Sequence, residues 1–171
     1  MTVQSRARFS EAASAHAIEL LRADPPACLA AFLAMRSEID PSAVLAWAMG
    51  QGIPTAVPVV AGATMTFALH APGAPLVDGL FGTRQPAEGA VQAFPDVWLV
   101  PLLAFDRFGG RLGYGAGHYD KAIAGAMAKG PRPRLIGFAF SLQEVDRLPL
   151  EAHDQRLDAV VTELGAFGSV G

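Results

Sequence analysis

Residues 105–120 read FDRFGGRLGYGAGHYD, with five glycines between Gly109 and Gly117, a guanidinium among them at Arg111 and a carboxylate closing the run at Asp120. Glycine tolerates positive φ and lets a ligand approach backbone N–H groups, while a helix N-terminus adds partial positive charge. Together they make a cradle for phosphate oxygens. Arg111 offers a planar fork of donors suited to phosphate, and Asp120 offers a hard oxygen ligand for a magnesium ion bridging phosphates. The plainer alternative is a glycine-rich turn that only joins a strand to a helix. The spacing fits neither the dinucleotide fingerprint nor the P-loop, because no Gly-Lys-Ser/Thr follows.

A loop of this kind needs a strand before it and a helix after it, and the flanking residues supply both. Val97–Val100 is a continuous apolar run closed by Pro101, the pattern of a strand covered on both faces in a parallel sheet. His118–Lys129 carries Ala122, Ile123, Ala124 and Met127 at helical positions. Strand character returns at 135–140 and at Ala159–Thr162.

Upstream, Ser10 reads as an N-cap for an amphipathic helix through Ala13, Ala17, Leu20 and Leu21, stopped by Asp24-Pro25-Pro26. Residues 28–35 are apolar; their alanines favour a helix, while their length and the following turn permit the buried strand adopted here. Asp40 and Pro41 open a second helix whose apolar residues are Val44, Leu45, Trp47 and Ala48. Residues 53–60 and 64–70 are strand-like around a turn at Gly62, and 71–95, rich in Pro and Gly, read as an ordered loop or cover carrying Phe81 and Phe94. This alternation predicts an α/β domain with a mostly parallel sheet flanked by helices.

The bulk properties agree. The 171 residues are 51% hydrophobic and 17% charged, enough to bury a core without disulfides or a structural metal. A net charge of −3 with no Lys/Arg run argues against nucleic acid and anionic membranes as partners. Cys28, the single cysteine, precludes an internal disulfide and reads as a small buried hydrophobe. No apolar run reaches the ~18 to 20 residues of a membrane span and no leader pattern opens the chain, so a cytoplasmic location is expected.

The stretch 95–120, PDVWLVPLLAFDRFGGRLGYGAGHYD, resembles the signature of the 5-formyltetrahydrofolate cyclo-ligase (methenyltetrahydrofolate synthetase) family: a hydrophobic strand, then P-x-x-x-F-D, then R-L-G-x-G-x-G-Y-Y-D. Further matches follow the family's order: Phe32-Leu33-Ala34-Met35 with Glu38-Ile39-Asp40, residues 53–58, Met65 and Phe67, and residues 149–158 with Thr162-Glu163. The resemblance implies ATP- and magnesium-dependent closure of 5-formyltetrahydrofolate to 5,10-methenyltetrahydrofolate with release of ADP and phosphate. It also implies one three-layer domain over residues 1–171, like the sugar-phosphate isomerases and coenzyme A transferases, with an apparently shortened N-terminal helix.

By the same resemblance Arg111, Leu112, Gly113, Tyr114, Gly115, Ala116, Gly117, His118 and Tyr119 hold ATP, and Arg111 and Tyr119 act in catalysis. Met35 and Glu38 contact the reduced folate together with Tyr114, Gly115, Ala116, Gly117 and His118, and Asp120 and Asp154 hold Mg2+. Read without the resemblance, Glu38 could serve a helix dipole, Met35 the core and Asp154 a turn. The chain departs from the family at Ala116, usually Lys, and at His118, usually Tyr. His70 and Gln85 stand where relatives often have an aromatic residue and an acid. Arg6 and Arg8 are the cations at hand to substitute near the N-terminus. The departures keep two alternatives in view: a noncatalytic folate- or nucleotide-binding relative, and an ATP-using enzyme for a different small substrate.

Overall fold

The computed structural model describes residues 1–168. Helix α1 spans Val3–Ala23, capped by Thr2, whose hydroxyl accepts the Ser5 N–H at 3.0 Å. Ser10 is therefore not the cap expected from the sequence but a buried residue of the helix interior. Ser10, Ala13, Ser14, Ala17 and Leu21 share the buried face, where small side chains let the helix lie close to its neighbours.

The chain continues through β1 (Leu29–Ala30), α2 (Ser42–Gly50), β2 (Thr55–Ala61) and β3 (Thr64–Leu69). Asp40 accepts the Ser42 N–H at 2.9 Å at the start of α2, as its N-cap reading predicts to within a residue. Gly62 turns the β2–β3 hairpin at φ +61°. Residues 71–95 are more structured than a cover loop. They hold the small hairpin β4 (Val77–Asp78) and β5 (Arg84–Gln85), and the edge strand β6 (Gln92–Ala93).

Then come β7 (Val97–Val100), the hairpin of β8 (Ala104–Phe105) and β9 (Arg111–Leu112), α3 (His118–Lys129), β10 (Arg134–Phe138), β11 (Ala159–Thr162) and β12 (Gly165–Gly168). The eight-stranded sheet has the order β12-β11-β10-β7-β1-β2-β3-β6. Its five central strands are parallel, and antiparallel strands close both sides.

Alternate residues of the central strands enter opposite cores, which is why these strands read as unbroken apolar runs. Leu29, Val97, Leu99, Ile136, Phe138 and Val161 pack against α1 and α2. Ala30, Trp98, Val100, Leu135 and Val160 face the other way, toward Ile123 of α3. Three layers result. Trp98 is core, 2% exposed, and its indole donates to the Pro95 carbonyl at 2.9 Å.

The connection leaving β1 runs through α2 on one face, and the connection leaving β7 runs through α3 on the other. Because β1 and β7 are adjacent, their carboxyl ends flank a crevice, the place where open parallel sheets bind ligands.

Candidate functional site

The glycine loop rises from β9 into α3 at this crevice. Gly115 has φ +94° and Gly117 φ +69°, conformations that exact a strain cost from any residue with a side chain. A Cβ on either would meet no atom within 4 Å, so the space above the loop is open. No side chain caps α3, and its first N–H groups are left for another acceptor. Gly113 has a different reason to be glycine: a Cβ there would lie 2.8 Å from Nη1 of Arg111.

The Arg111 side chain is 6% exposed and donates through Nη2 to Oδ1 of Asp120 at 3.1 Å. Its guanidinium also lies 5.8 Å from the centre of the Tyr119 ring. Burial raises the Tyr119 phenol above its ordinary pKa, with the Arg111 charge opposing. Tyr119 therefore keeps its proton at neutral pH.

On the opposite wall, the segment after β1 folds into a tight turn in which the Glu38 N–H bonds the Met35 carbonyl at 3.0 Å. The Glu38 side chain returns to accept the Met35 N–H at 2.8 Å through Oε2, and its Oε1 accepts the Tyr114 hydroxyl at 2.7 Å. This contact joins residues 76 apart in the chain and brings the two walls together. His118 closes a third side through Nε2, 3.1 Å from the Gly62 carbonyl at the β2–β3 tip; since a carbonyl only accepts, Nε2 is the donor. Leu112 and Ala116 are exposed.

Asp120 stands in the first turn of α3 and also accepts the Gln155 N–H, at 3.4 Å, which brings the chain around Asp154 beside it. Asp154 itself accepts the Glu151 N–H at 2.8 Å through Oδ2, closing a turn. Among the described residues no group of three His, Cys, Asp or Glu side chains converges as a metal cage.

Asp106 is a residue whose role its sequence did not reveal. It is 1% exposed and accepts N–H bonds from Phe108 at 2.9 Å, Gly110 at 2.8 Å and Leu148 at 2.7 Å. Burial pushes its pKa up, but these donors and the Arg147 charge outweigh it and leave it below the ordinary carboxylate value. A Cβ on Gly110 would come within 2.6 Å of this carboxylate, so the glycine is fixed by close approach. Asp106 anchors the β8–β9 hairpin that carries Arg111. The spacing Asp-x-x-x-Gly was the available signal.

Two of the departures noted in the sequence separate cleanly. Gln85 accepts the Val60 N–H at 3.0 Å near the carboxyl end of β2, on the crevice side. His70 is buried and bonds Thr55 at the amino end of β2, the far end of the sheet from the glycine loop. Met65 and Phe67 line a cavity of about 550 Å3 between β3 and α3, with Trp98 and Ala126, that includes no residue of the glycine loop. Cys28 is half-buried, and burial raises its thiol pKa. Among the described residues no helix is long and apolar enough to cross a membrane.

Comparison with known proteins supplies the context. The 5-formyltetrahydrofolate cyclo-ligase of Escherichia coli K12 is 32% identical over 142 residues, covering 78% of this chain and 76% of that protein. The enzyme of the same name from Haemophilus influenzae is 27% identical over 161 residues, covering 90% and 85%. The NMR structure of Aquifex aeolicus 5,10-methenyltetrahydrofolate synthetase superposes with a TM-score of 0.77 at 28% identity, covering 98% of this chain and 84% of that one. The profile of the 5-formyltetrahydrofolate cyclo-ligase family matches residues 1–163, and with the glycine loop, the Glu38 turn and the three-layer sheet in the same chain, this protein belongs to that family of ligases.

Proposed function

We propose that the protein closes 5-formyltetrahydrofolate to 5,10-methenyltetrahydrofolate at the expense of ATP, in a magnesium-dependent reaction at the crevice between β1 and β7. The observation that carries this reading is the Tyr114–Glu38 bond, which sets an open phosphate cradle beside a carboxylate suited to a pterin's N–H groups. A formamide oxygen is a poor leaving group. Once it attacks the γ-phosphorus and ADP departs, the N10 amine can attack the formyl carbon, and phosphate leaves with that oxygen while the N10 proton passes to water.

The protein's task is then to align the two substrates and to neutralise charge. The N–H groups from Gly113 to Tyr119 hold phosphate oxygens, helped by the α3 dipole. Arg111, its Nη2 committed to Asp120, offers its remaining N–H donors to the same phosphates. Tyr119, protonated and packed by Arg111, walls the loop. Glu38 orients the folate and Met35 packs beside it, while Tyr114, Gly115, Ala116, Gly117 and His118 face both ligands.

Asp120 and Asp154 fit a magnesium ion: both offer hard carboxylate oxygens, the Gln155 amide brings their segments together, and an ion of this kind completes its shell with phosphate oxygens and water. When bound, the ion would supply positive charge to offset that of the nucleotide's phosphates. Ala116 favours one rival, a binding-only relative, because the loop keeps its N–H donors but lacks the lysine usual in the family. Purified protein given ATP, magnesium and 5-formyltetrahydrofolate should produce the methenyl chromophore. Folded protein that binds both substrates by calorimetry and yields no chromophore would establish the binding-only reading instead.

A further inference from the structure

The turn that presents Glu38 contains Arg36 at φ +50°, the one non-glycine residue with positive φ among the described residues. Arg36 is the first central residue of the Met35–Glu38 turn, a place where positive φ usually calls for glycine. Strain of this sort persists only where the surroundings impose it, and it clusters at ligand clamps. The surroundings here belong to α1. Arg6 donates through Nη1 to the Arg36 carbonyl at 3.1 Å, and Ser10, one helical turn later, accepts the Asp40 N–H at 3.0 Å.

Residues four apart share a helix face, so Arg6 and Ser10 grip the loop on either side of Glu38. Both contacts span 30 residues of sequence. Both residues act on backbone groups of the turn.

We propose that Arg6 and Ser10 are positioning residues for the folate substrate: as a two-point clamp from α1, they hold the strained turn at Arg36 and thereby aim the Glu38 carboxylate. The clamp accounts for a cation and a buried hydroxyl on α1 by a role in folate orientation and not in phosphate binding. It rests on the proposed reaction for its choice of substrate, while the clamp itself is a property of the loop.

The test separates the two. In steady-state assays of the full-length protein, R6A raises KM for 5-formyltetrahydrofolate by roughly 5- to 30-fold, the equivalent of about 1 to 2 kcal/mol, and leaves KM for ATP within about twofold. R6K, which keeps one donor, recovers part of the loss. S10A shifts the same constant in the same direction. In R6A/R36G the turn no longer needs holding, and at least half of the R6A defect is recovered.

Hydrogen exchange of the peptide covering residues 35–40, measured without ligands, is faster in R6A and S10A than in the parent. If the parent neither turns over nor binds 5-formyltetrahydrofolate, the proposed reaction fails while the exchange comparison still decides the clamp. Parallel rises in both KM values, an unchanged folate KM in R6A, a defect untouched by R36G, or unaltered exchange would each overturn the clamp.

Discussion

Two glycine-rich turns lie within nine residues of each other and end in opposite states. Around Gly109-Gly110 backbone donors are filled from within by Asp106, which accepts the N–H groups of Phe108, Gly110 and Leu148 and leaves no room for a Cβ on Gly110. Among the described residues no carboxylate accepts a backbone N–H from Gly113 to Gly117. The positions over Gly115 and Gly117 are open, and α3 starts without a side-chain cap. Glycine content is the same kind of signal in both. What separates a structural turn from a binding loop is whether the chain itself or a ligand must satisfy the N–H groups.

The largest effect that would sharpen this contrast is on stability. Asp106→Ala orphans three donors, one buried and two part-buried, and should lower the unfolding free energy by about 4 kcal/mol in denaturant titrations. A loss below about 1 kcal/mol would dissolve the distinction. Asp106 also sets a pH dependence. Its folded pKa lies below the unfolded value, so its contribution is complete above the unfolded value, near 4, and disappears as pH falls through the folded one. Asp106→Asn should remove that share of the acid-induced loss.

Next in size, Asp120→Asn should act in the reverse sense, lowering kcat by roughly 10²-fold, about 3 kcal/mol of barrier, while costing about 1 kcal/mol of stability through the Arg111 pair. Gly110→Ala and Gly117→Ala then make a matched pair. The first should cost about 2 kcal/mol by collision with Asp106 and spare ATP affinity. The second should cost about 1 kcal/mol by positive φ alone and weaken ATP binding tenfold or more, read by calorimetry. If both fall on stability alone, the open loop is not a ligand cradle. The smallest effect is expected from Tyr114→Phe, which should raise the folate KM about fivefold and leave unfolding within about 0.5 kcal/mol, because its hydroxyl bond to Glu38 is exposed.

Much of the framework could be read from residue order. Val97–Val100 and Ala159–Thr162 announce themselves because strands buried on both faces are built almost entirely of apolar residues. The short strands at Val77–Asp78, Arg84–Gln85 and Gln92–Ala93 escape notice, since two-residue pairings carry no periodicity. Ser10 misleads because a serine on a close-packed helix face has the same composition as a cap. At the site, the glycine loop and its helix were legible as neighbours in sequence. The filling of Gly109-Gly110 by Asp106 could have been suspected from spacing but not its bond to Leu148, 42 residues away.

By itself the sequence determined the parallel core, the glycine-rich loop and the family, because each rests on residue types a few positions apart, where local backbone demands on φ, burial and donors act. Only the tertiary structure decided that Tyr114 meets Glu38, that His70 lies at the far end of the sheet, and that Arg6 and Ser10 hold the turn before α2. Those outcomes follow from strand order and from how α1 crosses the sheet, and neither is written in the periodicity of any single element.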